Sequence, residues 1–460
     1  MAAMTPVNPF SPAEAQRVLH HLQQPAVFLN MTCGWPALHW TAEHLSSSLR
    51  DRLVQFRLGR REATNTPLFE TQCSYIEATV AQFLHWTRGR TDVGPFSEYS
   101  YSEYWAYADY KYIAMLFQDQ PFMFEDVKWS QFGFEGRDGK ESTLWIGTEG
   151  ANTPCHLDTY GFNLVLQVQG RKRWHLFPPD DTSNLYPTRI PYEESSIFSQ
   201  VDVLRPDLKR FPEFQRARAH IVTLQPGQVL FVPRHWWHYV ESVDPLTVSV
   251  NTWIELEVDD VARVTEAVTK TVVCALKSAQ SDDNTDNWLN PTEEERASHS
   301  ESMRYLNLAV SGCAHRKRSL SPDKPRAAQK IKTNRDGAEI SAAFSASSLG
   351  PHLLLVCSQR DELKRTVPND GEVNTSTNRA ASQEDRAAQE HETTQAWAEN
   401  NKGPGLPLIT TNDLLECLVH PDVTSRVTEL LLERHRGDRL SASPAEHSQG
   451  TAVKESCGED

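Results

Sequence analysis

The sequence lacks the patterns that would place the chain in a membrane or in a disulfide framework. No apolar run approaches the roughly 20 residues that a membrane-spanning helix needs, and no signal-peptide-like segment occurs near Met1. The eight cysteines are scattered without a C-x-x-C pair, so neither a disulfide-rich module nor a paired-cysteine zinc site is indicated. We therefore predict a cytoplasmic protein without membrane contact.

Positive charge is also in deficit. The chain has 46 Lys and Arg against 61 Asp and Glu, a formal net charge of −15. Broad nucleic-acid binding needs a surplus of basic side chains, so we do not expect it, although a local basic groove stays open. One basic run, at residues 315–332, is typical of a solvated linker and also fits a nuclear-import signal, which leaves the nucleus as the alternative location.

No internal repeat is visible, and the clearest patterning is that of short strands. Residues 162–168, 171–179 and 222–233 are rich in apolar side chains; Gly170 follows the first run and Pro226–Gly227 interrupts the third. Such runs separated by Gly and Pro are typical of strands joined by tight turns. Many short strands of this kind predict a closed antiparallel barrel or a jelly roll.

One pair of side chains in this region suits a metal ion. His156 and Asp158 are two residues apart, and in a strand they project to the same face. The triplet alone is commonly an ordinary hydrogen-bonded pair, but a second histidine from a distant strand would complete the facial triad of non-haem Fe(II) oxygenases. His235 and His238 are both available near the end of the region, and spacing alone does not choose between them.

The ordered motifs of this region resemble the Jumonji-C family, and most closely the asparaginyl hydroxylase that acts on the hypoxia-inducible factor. The resemblance implies a mainly β fold, a cupin-type double-stranded β-helix (jelly roll) with flanking helices, within residues 1–256 and with its core at about 97–256. The matching motifs are Thr153-Pro154-x-His156-x-Asp158, Asn163, Gly170-x-Lys172-Arg173-x-x-Leu176-Phe177-Pro178-Pro179, Pro226-Gly227, Pro233-x-x-Trp236-Trp237-His238 and Val250-Asn251-x-Trp253.

The same resemblance implies a chemistry. It favours His238 over His235, so the expected metal ligands are His156, Asp158 and His238. Fe(II), 2-oxoglutarate as co-substrate and dioxygen are then expected, and the implied activity is that of a 2-oxoglutarate-dependent dioxygenase, with a protein side chain as the first choice of substrate. The stretch from Asp158 to Asn163 is one residue longer than in the asparaginyl hydroxylase.

Lys172 is the expected anchor of the co-substrate. It shares a strand face with Trp174, whereas Arg171 and Arg173 face the other way. A lysine on a strand is usually solvated, but a buried ammonium needs an anionic partner. The distal carboxylate of 2-oxoglutarate would be that partner, as the resemblance also implies.

Four further co-substrate residues come from the resemblance: Thr153, Tyr112, Asn163 and Asn251. Tyr112 ends a tyrosine-rich stretch at residues 99–112. The other interpretation of that stretch is a loop packed by its own aromatic side chains.

Beyond residue 256 the composition changes. Residues 257–308 have apolar side chains at helical spacing and predict a helical extension, which by resemblance forms a homodimer or, equally, covers the core of its own chain. Residues 309–404 are rich in polar side chains and predict a disordered linker. A short helical segment at 405–436 and a disordered tail at 437–460 follow. Within the linker, residues 353–356 are an apolar island and a candidate partner-docking segment, as is the helical segment.

Two functions stay open. The resemblance extends to family members that associate with a small heat-shock protein, which implies that partner, a protein substrate and a role in the stress response. The alternative is a catalytically silent Jumonji-C binding module that scaffolds or inhibits the small heat-shock protein.

Overall fold

The protein is described by a computed structural model that covers most of the chain. The described residues are 8–61, 64–90, 94–278, 288, 297–319, 350–358 and 409–437. They divide into two compact units. The first contains the described residues up to Leu256 together with Trp288, 350–358 and 409–416, and the second contains 257–278, 297–319 and 417–437.

Strands dominate the first unit. Its described residues contain fifteen of them: β1 Ala26–Phe28, β2 Val54–Arg60, β3 Ser74–Ala78, β4 Tyr104–Tyr112, β5 Thr143–Thr148, β6 Asn152–Asp158, β7 Phe162–Gln169, β8 Lys172–Phe177, β9 Pro187–Glu193, β10 Ser196–Ser199, β11 His220–Leu224, β12 Val229–Val232, β13 Trp237–Ser242, β14 Leu246–Ile254 and β15 Leu353–Leu355.

Helices flank the strands and make up the second unit. The α-helices of the described residues are α1 Pro12–His21, α2 Ala42–Leu49, α3 Val80–Thr87, α4 Ile113–Leu116, α5 Asp259–Ser278, α6 His299–Ser319, α7 Thr411–Leu418 and α8 Pro421–Gly437. No helix among the described residues is long and apolar enough to cross a membrane.

The strands form two antiparallel sheets. One has the order β15-β1-β12-β7-β14-β5-β4-β2-β3 and the other β11-β8-β13-β6-β10-β9. Along the chain, β5 to β8 and β11 to β14 alternate between the two sheets, as in a jelly roll whose two sheets face one another. The predicted mainly β double-stranded β-helix with flanking helices is confirmed.

The alternation of side chains along each strand explains what packs against each face of the sheets. On β7, Leu164 and Leu166 belong to a core cluster that also contains Leu19 of α1, Leu45 of α2 and Phe83 of α3. Val165, between the two leucines, belongs to a separate cluster with Trp174 of β8. Because successive residues of a strand face opposite sides, β7 packs against helices on one face and lines the space between the sheets with the other.

The second unit corrects one predicted boundary. Helix α6 runs to Ser319, so the predicted linker does not begin at residue 309. Val310 and Cys313 of α6 are buried together with Val264 of α5 and Leu432 of α8, and this burial stabilises the additional helical turns. The expected homodimer through 257–308 stays a prediction.

The rest of the predicted linker and tail differs from the structure where it is described. Residues 353–356, expected to dock on a partner, form β15 and Val356 and pair with β1 of the same chain. The helical segment expected at 405–436 is two helices, α7 and α8, separated before Pro421. Residues 320–349, 359–408 and 438–460 lie outside the described residues.

Candidate active site

The three predicted metal ligands meet between the sheets. His156 and Asp158 lie on β6, and His238 of β13 is the strand partner of His156. Nε2 of His156 lies 3.7 Å from Oδ1 of Asp158, and Nε2 of His238 lies 3.9 Å from Oδ2 of the same carboxylate. One ligand atom from each residue falls within 4.8 Å of the others, so a single ion can contact all three.

The imidazoles are oriented for metal binding by backbone carbonyls. Nδ1 of His156 lies 2.9 Å from the carbonyl oxygen of Pro154, and Nδ1 of His238 lies 3.0 Å from that of Trp236. A carbonyl oxygen only accepts, so each Nδ1 donates its hydrogen and each Nε2 keeps a lone pair for a metal.

The burial of these residues and their hydrogen bonds also suit a metal ion. Burial, with a smaller contribution from the adjacent His156, lowers the pKa of His238 to about 4, so His238 is neutral at pH 7, the state in which imidazole binds a metal. The indole nitrogen of Trp253 donates a 2.8 Å hydrogen bond to Oδ2 of Asp158. Two imidazole nitrogens and one oriented carboxylate form the donor set that suits Fe(II).

His235, the alternative that spacing left open, is not in this group. Its Nε2 lies 3.3 Å from the carbonyl oxygen of Thr159, whereas His238 faces Asp158. The structure therefore brings the histidine favoured by the resemblance to the site.

Four of the five predicted co-substrate residues line the same cavity as the two histidines. The cavity lies between the two sheets. The four lining residues from the prediction are Thr153, Asn163, Lys172 and Asn251.

Lys172 is buried in this cavity with neutral neighbours. Its side chain donates hydrogen bonds to the hydroxyls of Tyr107, at 3.0 Å, and Ser249, at 2.8 Å, and only 2% of the residue is exposed. Burial lowers the pKa of Lys172 to about 7, opposed by the more distant Asp109. Within the described ranges no carboxylate forms an ion pair with Lys172, so a ligand carboxylate would complete its environment.

The two asparagines are held in a chain of hydrogen bonds. Nδ2 of Asn251 donates to Oδ1 of Asn163 at 2.9 Å, and the indole nitrogen of Trp145 donates to Oδ1 of Asn251 at 2.7 Å. The indole can only donate, so it fixes which side of the Asn251 amide is the acceptor. Both amides are thereby oriented before any ligand arrives.

The structure does not bring Tyr112 to the cavity, which corrects that assignment. Tyr112 lies at the end of β4 with 61% of its surface exposed; Tyr107 and Tyr110 line the cavity instead. The pairing of β4 with β5 shifts between Ala108 and Lys111, and Tyr110 has a positive φ of 51°. This bulge breaks the period of two, so the facing residues cannot be counted along the strand.

Four side chains that hydrogen-bond to the predicted site residues were missed from the sequence: Tyr107, Trp145, Ser249 and Trp253. Ser249 and Trp253 flank Asn251 at two-residue spacing on β14. Since Asn251 was already assigned to the site, the strand period would have found both. Tyr107 could not be found in this way, because the bulge in β4 separates it from Tyr112, the tyrosine assigned from the sequence.

Comparison with known proteins covers nearly the whole chain. Residues 12–260 match the family described as the cupin-like domain. The HSPB1-associated protein 1 homolog of Danio rerio is 57% identical over 444 residues, 93% of this chain and 98% of the relative. HSPB1-associated protein 1 of Homo sapiens is 48% identical over 465 residues, 93% of this chain and 94% of the relative. Lysine-specific demethylase 8 of Xenopus tropicalis is 30% identical over 245 residues, 51% of this chain and 49% of the relative.

Proposed function

Because the chain belongs to the cupin-like Jumonji-C family, we propose that it is an Fe(II)- and 2-oxoglutarate-dependent oxygenase that hydroxylates a protein. One observation carries the proposal: His156 and His238, which form a group with Asp158, line the same cavity as a buried lysine without an anionic partner among the described residues.

The metal would be held by Nε2 of His156, Nε2 of His238 and the carboxylate of Asp158. Bound there, Fe(II) together with 2-oxoglutarate and dioxygen would supply the oxidising chemistry for hydroxylating a C–H bond, with release of carbon dioxide and succinate. The protein contributes ligand orientation: two carbonyl-held imidazoles and a carboxylate held by Trp253. Such supporting hydrogen bonds set the affinity and geometry of a metal site.

Lys172 would bind the distal carboxylate of 2-oxoglutarate. The hydroxyls of Tyr107 and Ser249 hold its ammonium between the sheets, and charge-assisted hydrogen bonds to a carboxylate are the strongest that a lysine makes. Thr153 lines the same cavity and offers a hydroxyl. The oriented amides of Asn163 and Asn251 would contact the co-substrate elsewhere along its length.

Aromatic side chains around the cavity would exclude bulk water. Tyr110, Trp145, Trp174 and Trp253 all line it. In a site with little water, hydrogen bonds and charge interactions with the ligand are strengthened. The walls would therefore strengthen the contacts of Lys172 and the two amides with a bound dicarboxylate.

The protein partner is proposed from the names of the relatives. Two relatives matched over nearly their full length are called HSPB1-associated protein 1 or its homolog. We accordingly propose that this chain also associates with a small heat-shock protein, in the cytoplasm, as part of a stress response.

A catalytically silent binding module that scaffolds or inhibits the small heat-shock protein is the competing proposal. A scaffold would need neither the paired imidazoles nor the buried lysine, and burying an ammonium is costly. The presence of both at one cavity supports the enzyme.

The deciding experiment is 2-oxoglutarate turnover by the purified full chain. Succinate release should require Fe(II) and should be absent in Asp158→Ala, with Asp244→Ala, a surface carboxylate paired with Arg171, as the matched control. Binding of both Fe(II) and 2-oxoglutarate without any succinate, with and without the small heat-shock protein, would establish the silent module instead.

A further inference from the structure

The outer edge of the nine-stranded sheet is formed by a segment from far along the chain. Within β15, Leu353, Leu354 and Leu355 pair with Phe28, Val27 and Ala26 of β1 in antiparallel register. The pairing continues on both sides: the N–H of Leu29 donates to the carbonyl of His352 and the N–H of Val356 donates to that of Pro25, each at 2.9 Å. We call residues 352–358 the docked segment.

The docked segment is apolar on both faces. Leu353, 4% exposed, belongs to the cluster beneath the helices, and Leu355 packs against that cluster. Val356, 6% exposed, belongs to the cluster on the other face of the sheet, with Val27 and Leu230. Leu354 is 49% exposed. Three side chains therefore anchor the segment, and the side chain at 354 contributes little.

The attachment of the docked segment is limited compared with that of its neighbours. Among the described strands, β15 pairs with β1 only, whereas β1 is also paired with β12. Outside β15, the docked segment adds one isolated bridge from Ser358 to His220 and a side-chain hydrogen bond between His352 and Asn30. The segment joins the described chain through residues 320–349 on one side and 359–408 on the other. Without it, β1 would be a bare sheet edge with apolar surface on both faces, which is a template for another strand.

We propose that the outer edge of β1 is a binding site for an extended segment of a partner protein, and that the docked segment is its intramolecular competitor. The partner strand would add to the sheet through its backbone. It would be uncharged and would carry apolar side chains at the positions of Leu353, Leu355 and Val356, with any residue at that of Leu354. The docked segment is not among the residues that line the metal cavity, so this site is independent of the proposed oxygenase activity.

Competition has a quantitative consequence. A covalently attached segment binds intramolecularly, so it masks the edge from free peptides that bind with similar contacts. Releasing it should raise the apparent affinity for such a peptide at least tenfold.

Position 354 offers a matched pair of variants. The flanking bonds, Leu29 to His352 and Val356 to Pro25, lie two residues to either side of the pair Val27 and Leu354, which makes that pair a directly hydrogen-bonded one. Leu354→Pro removes the N–H donor and breaks the pairing. Leu354→Asp keeps the donor and changes only an exposed side chain. Neither substitution touches the cores of the sheets.

The probe is a fluorescent peptide with the sequence of residues 350–358, Cys357 replaced by Ser, titrated into the full chain. Leu354→Pro should bind it at least tenfold more tightly than the parent, Leu354→Asp should match the parent, and a peptide with Asp at the position of Leu353 should not bind. Equal binding by the two variants would overturn the proposal.

Hydrogen exchange of backbone amides tests independently whether the docked segment covers the edge of β1. The N–H of Leu29 should exchange slowly in the parent and at least tenfold faster in Leu354→Pro, while amides of β7 stay unchanged. Fast exchange of Leu29 in the parent would mean that the edge is not covered in solution. Concentration-dependent dimers that Leu354→Pro abolishes would assign the segment to a second copy of the chain and also overturn the intramolecular role.

Discussion

Lys172 is the side chain on which the proposed binding of 2-oxoglutarate depends most. It is buried between the hydroxyls of Tyr107 and Ser249, and both neighbours are neutral. We expect Lys172→Ala to weaken 2-oxoglutarate binding by roughly ten- to a hundredfold, since a charge-assisted hydrogen bond contributes about 1.5–3 kcal/mol. Calorimetric titration of manganese-loaded protein measures this, and manganese affinity itself should stay unchanged.

The matched control for this substitution is Arg171→Ala. Arg171 pairs with Asp244 at the surface, at 2.7 Å, and exposed pairs contribute little. Arg171→Ala should therefore bind 2-oxoglutarate like the parent. Equal affinity in Lys172→Ala and Arg171→Ala would remove Lys172 from the pocket.

The pKa of Lys172 gives the same binding a pH dependence. Burial lowers it to about 7, so the free protein loses the ammonium as the pH rises through 7. A dicarboxylate binds the protonated form, and its affinity should fall by roughly tenfold or more between pH 6.5 and 8.5. Titrations at saturating manganese across this range provide the test. A parent protein with a flat profile would contradict the prediction, and Lys172→Met is expected to be flat.

Trp253 acts on the metal through Asp158. Its indole N–H is 2.8 Å from Oδ2, and loss of such a supporting bond typically reduces metal affinity about 10- to 100-fold. Trp253→Phe should therefore bind Fe(II) or Mn(II) about tenfold more weakly, measured by metal titration. Trp145→Phe is the control, because the Trp145 indole supports Asn251 rather than a ligand; similar metal affinities in the two variants would argue against the orienting role.

At the scale of the element, β4 decides which tyrosine meets the co-substrate. Tyr107 accepts a hydrogen bond from Lys172, whereas Tyr112 lies outside the cavity. Tyr107→Phe should weaken 2-oxoglutarate binding several-fold, because it removes one of the two hydroxyls that position the Lys172 ammonium and leaves its charge in place, and Tyr112→Phe should be silent. The opposite order of effects in a titration would restore the original assignment.

The elements also show how far the sequence could be interpreted. Alternation of apolar and polar residues predicts β6, β7 and β8. It also predicts the strand faces on which His156, Asp158 and Lys172 lie, because a regular strand has a period of two. The bulge in β4 was not predictable in this way, since one inserted residue leaves composition unchanged. Strand β15 was missed for a different reason: three apolar residues far along the chain do not specify which edge they will pair with.

At the scale of the whole molecule, the C-terminal residues contribute more than the polar composition of residues 309–404 suggests. A chain ending at Ser319 would lose Leu353 and Val356 from the first unit and Leu432 from the second. We expect this truncated chain still to unfold cooperatively, because most core residues lie before 256. Its thermal unfolding midpoint should be lower by roughly 5–10 °C, because burial of each lost side chain contributes about 1.5–3 kcal/mol. Thermal unfolding followed by circular dichroism measures both. A broad, non-cooperative transition would show that the tail is required for the fold.

The pairing of β15 with β1 has a consequence for synthesis on the ribosome. The strands of both sheets up to β14 end at Ile254, and the strand that covers β1 follows about 100 residues later. At translation rates of roughly 5–20 residues per second, the nascent barrel spends on the order of 5–20 seconds complete except for its outermost strand. During that interval the β1 edge is open to any extended chain nearby. The edge of each new molecule is covered only when the seven residues of the docked segment have been synthesised and have paired with it.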